Sequence, residues 1–169
     1  MNRWLAIISI LAVCAFSVGA GKKYQLYFVT FHLEGEDTDN PKMVTPVKLG
    51  TEHRQYYFSK IPLFTDHDIE WFYPFTSRDG KSFGTAFQLK EHAITELRGI
   101  CLTNQGKLLG ARISDAQLQA VIIDRPIDDG ILVVWQGLTQ DHLKQFRKRF
   151  PHVDDFRARL GPEFALPGQ

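Results

Sequence analysis

Only two stretches of this chain repeat their apolar residues every three or four positions. In 90–102 these residues are Ala93, Ile94, Leu97, Ile100 and Cys101, and in 139–150 they are Leu143, Phe146 and Phe150. That spacing lays one apolar stripe along a helix. Gly99 weakens the first helix and is a candidate end. Thr139 suits an N-cap, Asp141 sits where a carboxylate favours the positive helix end, and Lys144, Arg147, Lys148 and Arg149 follow towards the negative end. Elsewhere the apolar residues come in short aromatic and β-branched runs, at 24–33, 44–49, 55–61, 71–75, 82–89, 108–113, 118–124 and 131–136. Such runs, separated by turn formers, predict strands with at least one buried face. Pro46 directs its strand to an edge, and Thr65 can cap a helical turn over 66–69. Asp79-Gly80 marks a hairpin, and the last three runs read as an antiparallel meander. The expected fold class is α+β in two layers, a mainly antiparallel sheet with two main helices, its second half running β-α-β-β-β-α.

The first residues predict where the chain works. Arg3 precedes the apolar run 5–18, and Gly19, Ala20 and Gly21 lead into Lys22 and Lys23. This is the layout of a cleavable signal, with cleavage expected after Ala20 and export to the periplasm or the outside of the cell. An uncleaved anchor is the competing reading, because the run lies near the lower edge of the roughly 20 residues that a spanning helix needs. Lipidation of Cys14 is a weaker third, since Val13 is bulky and apolar residues continue past the cysteine. A single domain over 21–150 is expected, with 151–169, which holds Pro162 and Pro167, as a partly ordered tail.

Charge and cysteine content narrow the function. The chain has 20 Lys plus Arg against 19 Asp plus Glu, and losing Arg3 with the signal leaves the signs equal. A neutral surface argues against nucleic acid as a partner, because phosphate neutralisation dominates that binding, and gives little support to docking on anionic lipid. Cys101 would be the one cysteine left, which excludes an internal disulfide; between Ile100 and Leu102 it reads as a small buried hydrophobe.

Catalytic patterns are missing from the sequence. The six histidines, His32, His53, His67, His92, His142 and His152, form no pair spaced for metal on one helical face. There is no Gly-x-Ser-x-Gly elbow, no Gly-x-Gly-x-x-Gly and no P-loop. Glu34, Glu36, Asp37 and Asp39 lack the closing pattern of a calcium loop. Asp124, Asp128 and Asp129 sit with Pro126 and Gly130 in a turn, where Asp bonds the local backbone. The expectation is a protein that is not an enzyme and holds neither cofactor nor metal. A small hydrolase would instead bring together at least two of His53, Asp66, His67, Asp68 and Cys101.

Aromatic residues cluster at Tyr56, Tyr57 and Phe58 and again at Trp71, Phe72, Tyr73 and Phe75. Alternate members of a strand point to opposite faces, so some of these rings reach the surface unless both faces are covered. Tyr56, Phe58, Trp71 and Tyr73 are the candidate binding residues, because an exposed apolar patch marks a partner site. Pairing of copies through the edge strand Val44–Leu49 is the structural alternative.

Residues 83–146 carry a series of motifs in order. Phe87 and Leu89 precede a helix with Ala93 and Leu97; Asn104-Gln105-Gly106-Lys107 leads into the run 108–113; Asp115-Ala116-Gln117-Leu118 follows; then come Arg125-Pro126-Ile127, Asp128-Asp129-Gly130 and Gly137-Leu138-Thr139. This order resembles the head subdomain of the first periplasmic domain of the SecD and SecDF protein-export subunits. The resemblance implies a similar fold and contact with polypeptides or an envelope component, without covalent chemistry. The family's subunits carry several membrane-spanning helices with intramembrane charges, whereas this chain has no apolar run after residue 20, so a proton-driven pump is not expected. A shared fold does not itself assign function, and 21–82 have no counterpart in the resemblance.

Overall fold

The computed structural model describes residues 28–114 and 116–155. The expected signal 1–20, the first residues of the run 24–33, Asp115 and the tail from 156 lie outside the described residues.

The expected strands form two sheets. Strands β1 (Val29–Gly35), β2 (Val44–Leu49), β3 (Arg54–Ser59), β7 (Leu108–Ile113) and β8 (Gln119–Ile122) make the larger sheet in the order β2-β3-β1-β7-β8, with the short β4 (Phe64–Thr65) paired to β1. Strands β5 (Ile69–Thr76), β6 (Phe83–Leu89) and β9 (Ile131–Leu138) make the smaller, in the order β5-β6-β9. All of these pairings are antiparallel. Helices α1 (Glu91–Thr103) and α2 (Gln140–Arg149) are the two periodic stretches. The fold is thus α+β with mainly antiparallel sheets and two main helices.

Local signals account for most element ends. Thr65 and Asp68 form a reciprocal cap around the 3-10 turn Asp66–Asp68. Thr139 caps α2 with His142 as the reciprocal partner, its Nδ1 accepting the Thr139 N–H at 3.1 Å. Helix α1 runs through Gly99 and stops at Asn104, whose amide and backbone N–H both donate to the Ile100 carbonyl. Pro46 does lie on an edge strand.

One connection differs from the expected meander. β7 and β8 pair, but β9 joins β6. The linking turn is fastened to the other side of the molecule: Gln88 donates to the Asp129 carbonyl at 2.8 Å, Leu89 N–H donates to Gly130, and Arg98 pairs with Asp128 at 3.1 Å. Gly130 has φ +68° and lies so close to Ile94 that a Cβ would sit 2.3 Å from it, so the chain crosses here only without a side chain.

One core joins the sheets and helices. Phe31, Phe64, Phe72, Phe87, Leu97, Val134 and Phe146 are each no more than 2% exposed and belong to it. Cys101 is fully buried there, and burial pushes its thiol pKa up. Beyond α2 the chain turns back along β5: Phe72 N–H donates to the Pro151 carbonyl at 3.1 Å, and His152 bridges to Phe72 in parallel.

Candidate binding face

The four candidate aromatics do not share one surface. Tyr56 and Phe58 are on β3 of the larger sheet, and Trp71 and Tyr73 are on β5 of the smaller. Phe58 is 2% exposed and sits over Gly110, where a Cβ would meet its ring at 2.7 Å. Trp71 is 7% exposed. Tyr56 is half-buried, with the Arg54 guanidinium 5.5 Å from its ring centre. Of the four, Tyr73 reaches solvent, at 49% exposure.

Tyr73 belongs to a face that the sequence reading only half saw. Phe72, Phe87, Leu132 and Val134 turn inward to the core, so their neighbours Tyr73, Ala86, Val133 and Trp135 lie on the outer side of the three-stranded sheet. Tyr73 stands opposite Ala86, and Ala86 opposite Val133. Trp135 is 61% exposed and meets Phe75 edge to face, ring centres 6.0 Å apart. Phe75 pairs with Gly84, and a Cβ there would come within 2.3 Å of the Phe75 ring. The bare glycine is what lets the ring lie flat across β6. Trp135 lies outside the runs of adjacent aromatics that mark the other candidates. The signal was period two in Ile131-Leu132-Val133-Val134-Trp135, which puts Val133 and Trp135 on one side.

Beside this pair lies an open cleft of about 510 Å³, lined by Phe75, Thr76, Ser77, Arg78, Trp135 and Gln136. Its wall is the turn joining β5 to β6. The Ser82 N–H, the Ser82 hydroxyl and the Lys81 N–H all donate to Asp79, and these bonds lower its carboxyl pKa to about 2. The turn is therefore knitted by a carboxylate that stays ionised through the neutral range. A second opening, between β8 and β9, has about 30 Å³ of space, room for a water or two and no larger ligand.

Carboxylates considered for catalysis or for a calcium loop bond the backbone. Asp66 accepts the N–H groups of Phe28 and Val29. Asp68 accepts the Thr65 N–H at 2.8 Å and lies 3.3 Å from His92. Glu34 accepts the Leu108 N–H at 2.7 Å, Asp39 the Glu36 N–H at 2.8 Å, and Asp129 the Ile131 N–H at 3.0 Å. His53 and His67 are exposed, while Cys101 is buried in the core. Among the described residues no group of three or more His, Cys, Asp or Glu could hold a metal ion. The edge strand β2 offers Pro46 and Lys48 to solvent, two features that discourage edge pairing. Among the described residues no helix is long and apolar enough to cross a membrane.

No protein-family model matches the chain, and no curated protein does. Among solved structures it is similar to SecDF, a membrane component that enhances protein export, with 15% identity and a TM-score of 0.47 over 71% of this chain and 58% of that one. It is likewise similar to SecDF in a super-membrane-facing form, with 14% identity and a TM-score of 0.45 over 70% of this chain and 17% of that one. The chain spans less than two thirds of each SecDF chain, and a likeness this distant assigns it neither an activity nor a partner.

Proposed function

We propose that this protein is an exported, non-catalytic binding module that holds extended polypeptide segments against the outer face of the β5-β6-β9 sheet. The observation that carries the reading is the exposure of Tyr73 and Trp135 on one side of a three-stranded sheet, beside an open cleft. Both side chains combine a broad apolar ring with a polar tip, which suits a surface that is wet when free and dry when bound. β9 is also an edge strand. β8 flanks its free edge across an opening that holds only a water or two, so an extended peptide would engage this face through its alternate side chains, which can meet the aromatics. The cleft is open rather than enclosed, which fits a chain segment better than an enclosed small molecule. The order of motifs over 83–146, similar to the SecD head subdomain, and the signal-like first residues agree with a role in the cell envelope.

The test is a fluorescence-anisotropy titration of the full chain with a labelled peptide of alternating apolar and polar residues. A Tyr73→Ala, Trp135→Ala double variant changes exposed side chains and should keep the wild-type circular dichroism. Loss of two aromatic anchors should weaken binding by at least about tenfold. Unchanged affinity in a folded double variant would overturn the reading.

A further inference from the structure

We propose that the cleft beside Trp135 is a carboxylate subsite, which takes an Asp or Glu side chain of an extended polypeptide whose apolar side chains lie on Tyr73 and Trp135. As the chemistry of the partner, this rests on the function proposed above.

Arg78 lines the cleft with Phe75, Thr76, Trp135 and Gln136. It is exposed, and among the described residues its guanidinium has no ion pair, no hydrogen bond and no aromatic ring beneath it. The carboxylate next to it in sequence is engaged elsewhere. Asp79 Oδ1 accepts the Lys81 and Ser82 N–H groups, both at 2.9 Å, and its Oδ2 accepts the Ser82 hydroxyl at 2.7 Å. Those bonds close the turn and hold the carboxylate against residues 81 and 82. The turn 77–82 carries two cations, Arg78 and Lys81, against this one anion, and β9 contributes the uncharged Trp135 and Gln136 to the cleft. A chain whose signs are nearly equal overall, 20 against 19, thus presents an unpaired guanidinium in an aromatic cleft.

A carboxylate is the group that this arrangement suits. The guanidinium offers its N–H groups as a planar fork that matches two carboxylate oxygens. The Thr76 hydroxyl and the Gln136 amide are exposed in the same cleft and can donate to the lone pairs that the fork leaves open. The Phe75 and Trp135 rings keep water from part of the surroundings, which strengthens a charge pair formed there. A phosphate group, with nearly two charges, calls for a cluster of arginines rather than one. At about 510 Å³ the cleft exceeds one side chain, so a stretch of backbone can enter with the acid.

The experiment titrates three peptides into the full chain by fluorescence anisotropy. They share one alternating apolar and polar sequence and carry Glu, Gln or Lys at both terminal positions. An uncharged fluorophore at the amino end and an amide at the carboxyl end remove the terminal charges, so any preference for Glu belongs to its side chain. Wild type should bind the Glu peptide about fivefold more tightly than the Gln peptide, the upper end for one charge pair near a surface, and the Lys peptide least. The preference should shrink in about 0.5 M salt. Arg78→Gln changes an exposed side chain, should keep the wild-type circular dichroism, and should bind the Glu and Gln peptides alike. Equal binding of these two by wild type overturns the subsite and leaves the face as a polypeptide site. A preference for Glu that survives Arg78→Gln also overturns it, since another cation then reads the acid. Failure of all three peptides to bind overturns the polypeptide function and the subsite with it.

Discussion

The two carboxylate oxygens of Asp66 accept the backbone N–H groups of Val29 at 2.6 Å and Phe28 at 3.0 Å. A side chain in the 3-10 turn thus fixes the start of a strand almost forty positions earlier, with its own backbone cap supplied by Thr65 and Asp68. Its side chain is 15% exposed, and Arg149 of α2 lies 3.8 Å away. Removing the carboxylate orphans two partly buried donors. Asp66→Ala should cost about 2–4 kcal/mol: a bond to a charged acceptor contributes about 1.5–3 kcal/mol, and the pair is discounted because both donors are only partly buried. Asp66→Asn, which keeps one acceptor, should cost less. Urea unfolding followed by circular dichroism reads both, and an Ala variant as stable as wild type would remove this anchor from the account.

Phe146 occupies the centre of an aromatic cluster. Its ring lies 5.2 Å from Phe87, 5.5 Å from Phe28 and 5.6 Å from Phe72, and it is fully buried. These rings come from β5, β6, α2 and the residue preceding β1, so the cluster is where both sheets meet the second helix. Phe146→Ala should cost about 3–5 kcal/mol, the transfer and cavity contributions together. Phe146→Leu refills much of the volume and should recover most of that. A loss in the Ala variant no larger than in the Leu variant would mean that the surrounding rings collapse into the space.

The elements were legible because each carries its own local signal. Leu143, Phe146 and Phe150 announce α2, Thr65 announces the 3-10 turn, and Pro46 announces an edge. The partner of β9 was not legible, because it depends on Gln88 and Arg98 reaching a turn about thirty to forty positions away, and local propensity carries no such information. The candidate binding face was half legible for a related reason. Tyr73 stood in an aromatic run, but its sharing a surface with Trp135 depends on the order β5-β6-β9. Phe58 and Trp71 look the same as Tyr73 in sequence; only their burial, that of Phe58 against Gly110, distinguishes them.

His32 makes stability depend on pH. Its Nδ1 lies 2.8 Å from the Ser59 carbonyl, which can only accept, so that nitrogen carries the proton and Nε2 accepts from the Thr30 hydroxyl at 2.8 Å. Burial lowers the imidazole pKa below its ordinary 6.5, the Ser59 carbonyl pulls the other way, and Arg112 lowers it further. A histidine whose folded pKa is depressed binds fewer protons than the unfolded chain does at mildly acid pH. Its contribution is complete above about 6.5 and falls away as the pH drops below that value. Denaturation midpoints for wild type should therefore decline from pH 7.5 to 5, and His32→Gln, which does not titrate, should show a shallower decline. Parallel declines in the two proteins would mean that other groups set the dependence.

Gly84 and Gly99 should respond oppositely to the same substitution. A Cβ on Gly84 would fall 2.3 Å from the Phe75 ring and 2.7 Å from the Trp135 carbonyl. The ring can swing away only by leaving Trp135, and the backbone carbonyl cannot move without disturbing the β6–β9 pairing. Gly84→Ala should cost about 1–3 kcal/mol, the range for overpacking, and should weaken peptide binding as the Phe75–Trp135 pair separates. Gly99 lies within α1 with nothing within 4 Å of where its Cβ would be. Gly99→Ala should stabilise the protein by about 0.8–1 kcal/mol through helix propensity alone and leave binding unchanged. Peptide affinity that survives Gly84→Ala in a folded protein would separate the Phe75–Trp135 contact from the binding surface and leave Tyr73 as the side chain to test next.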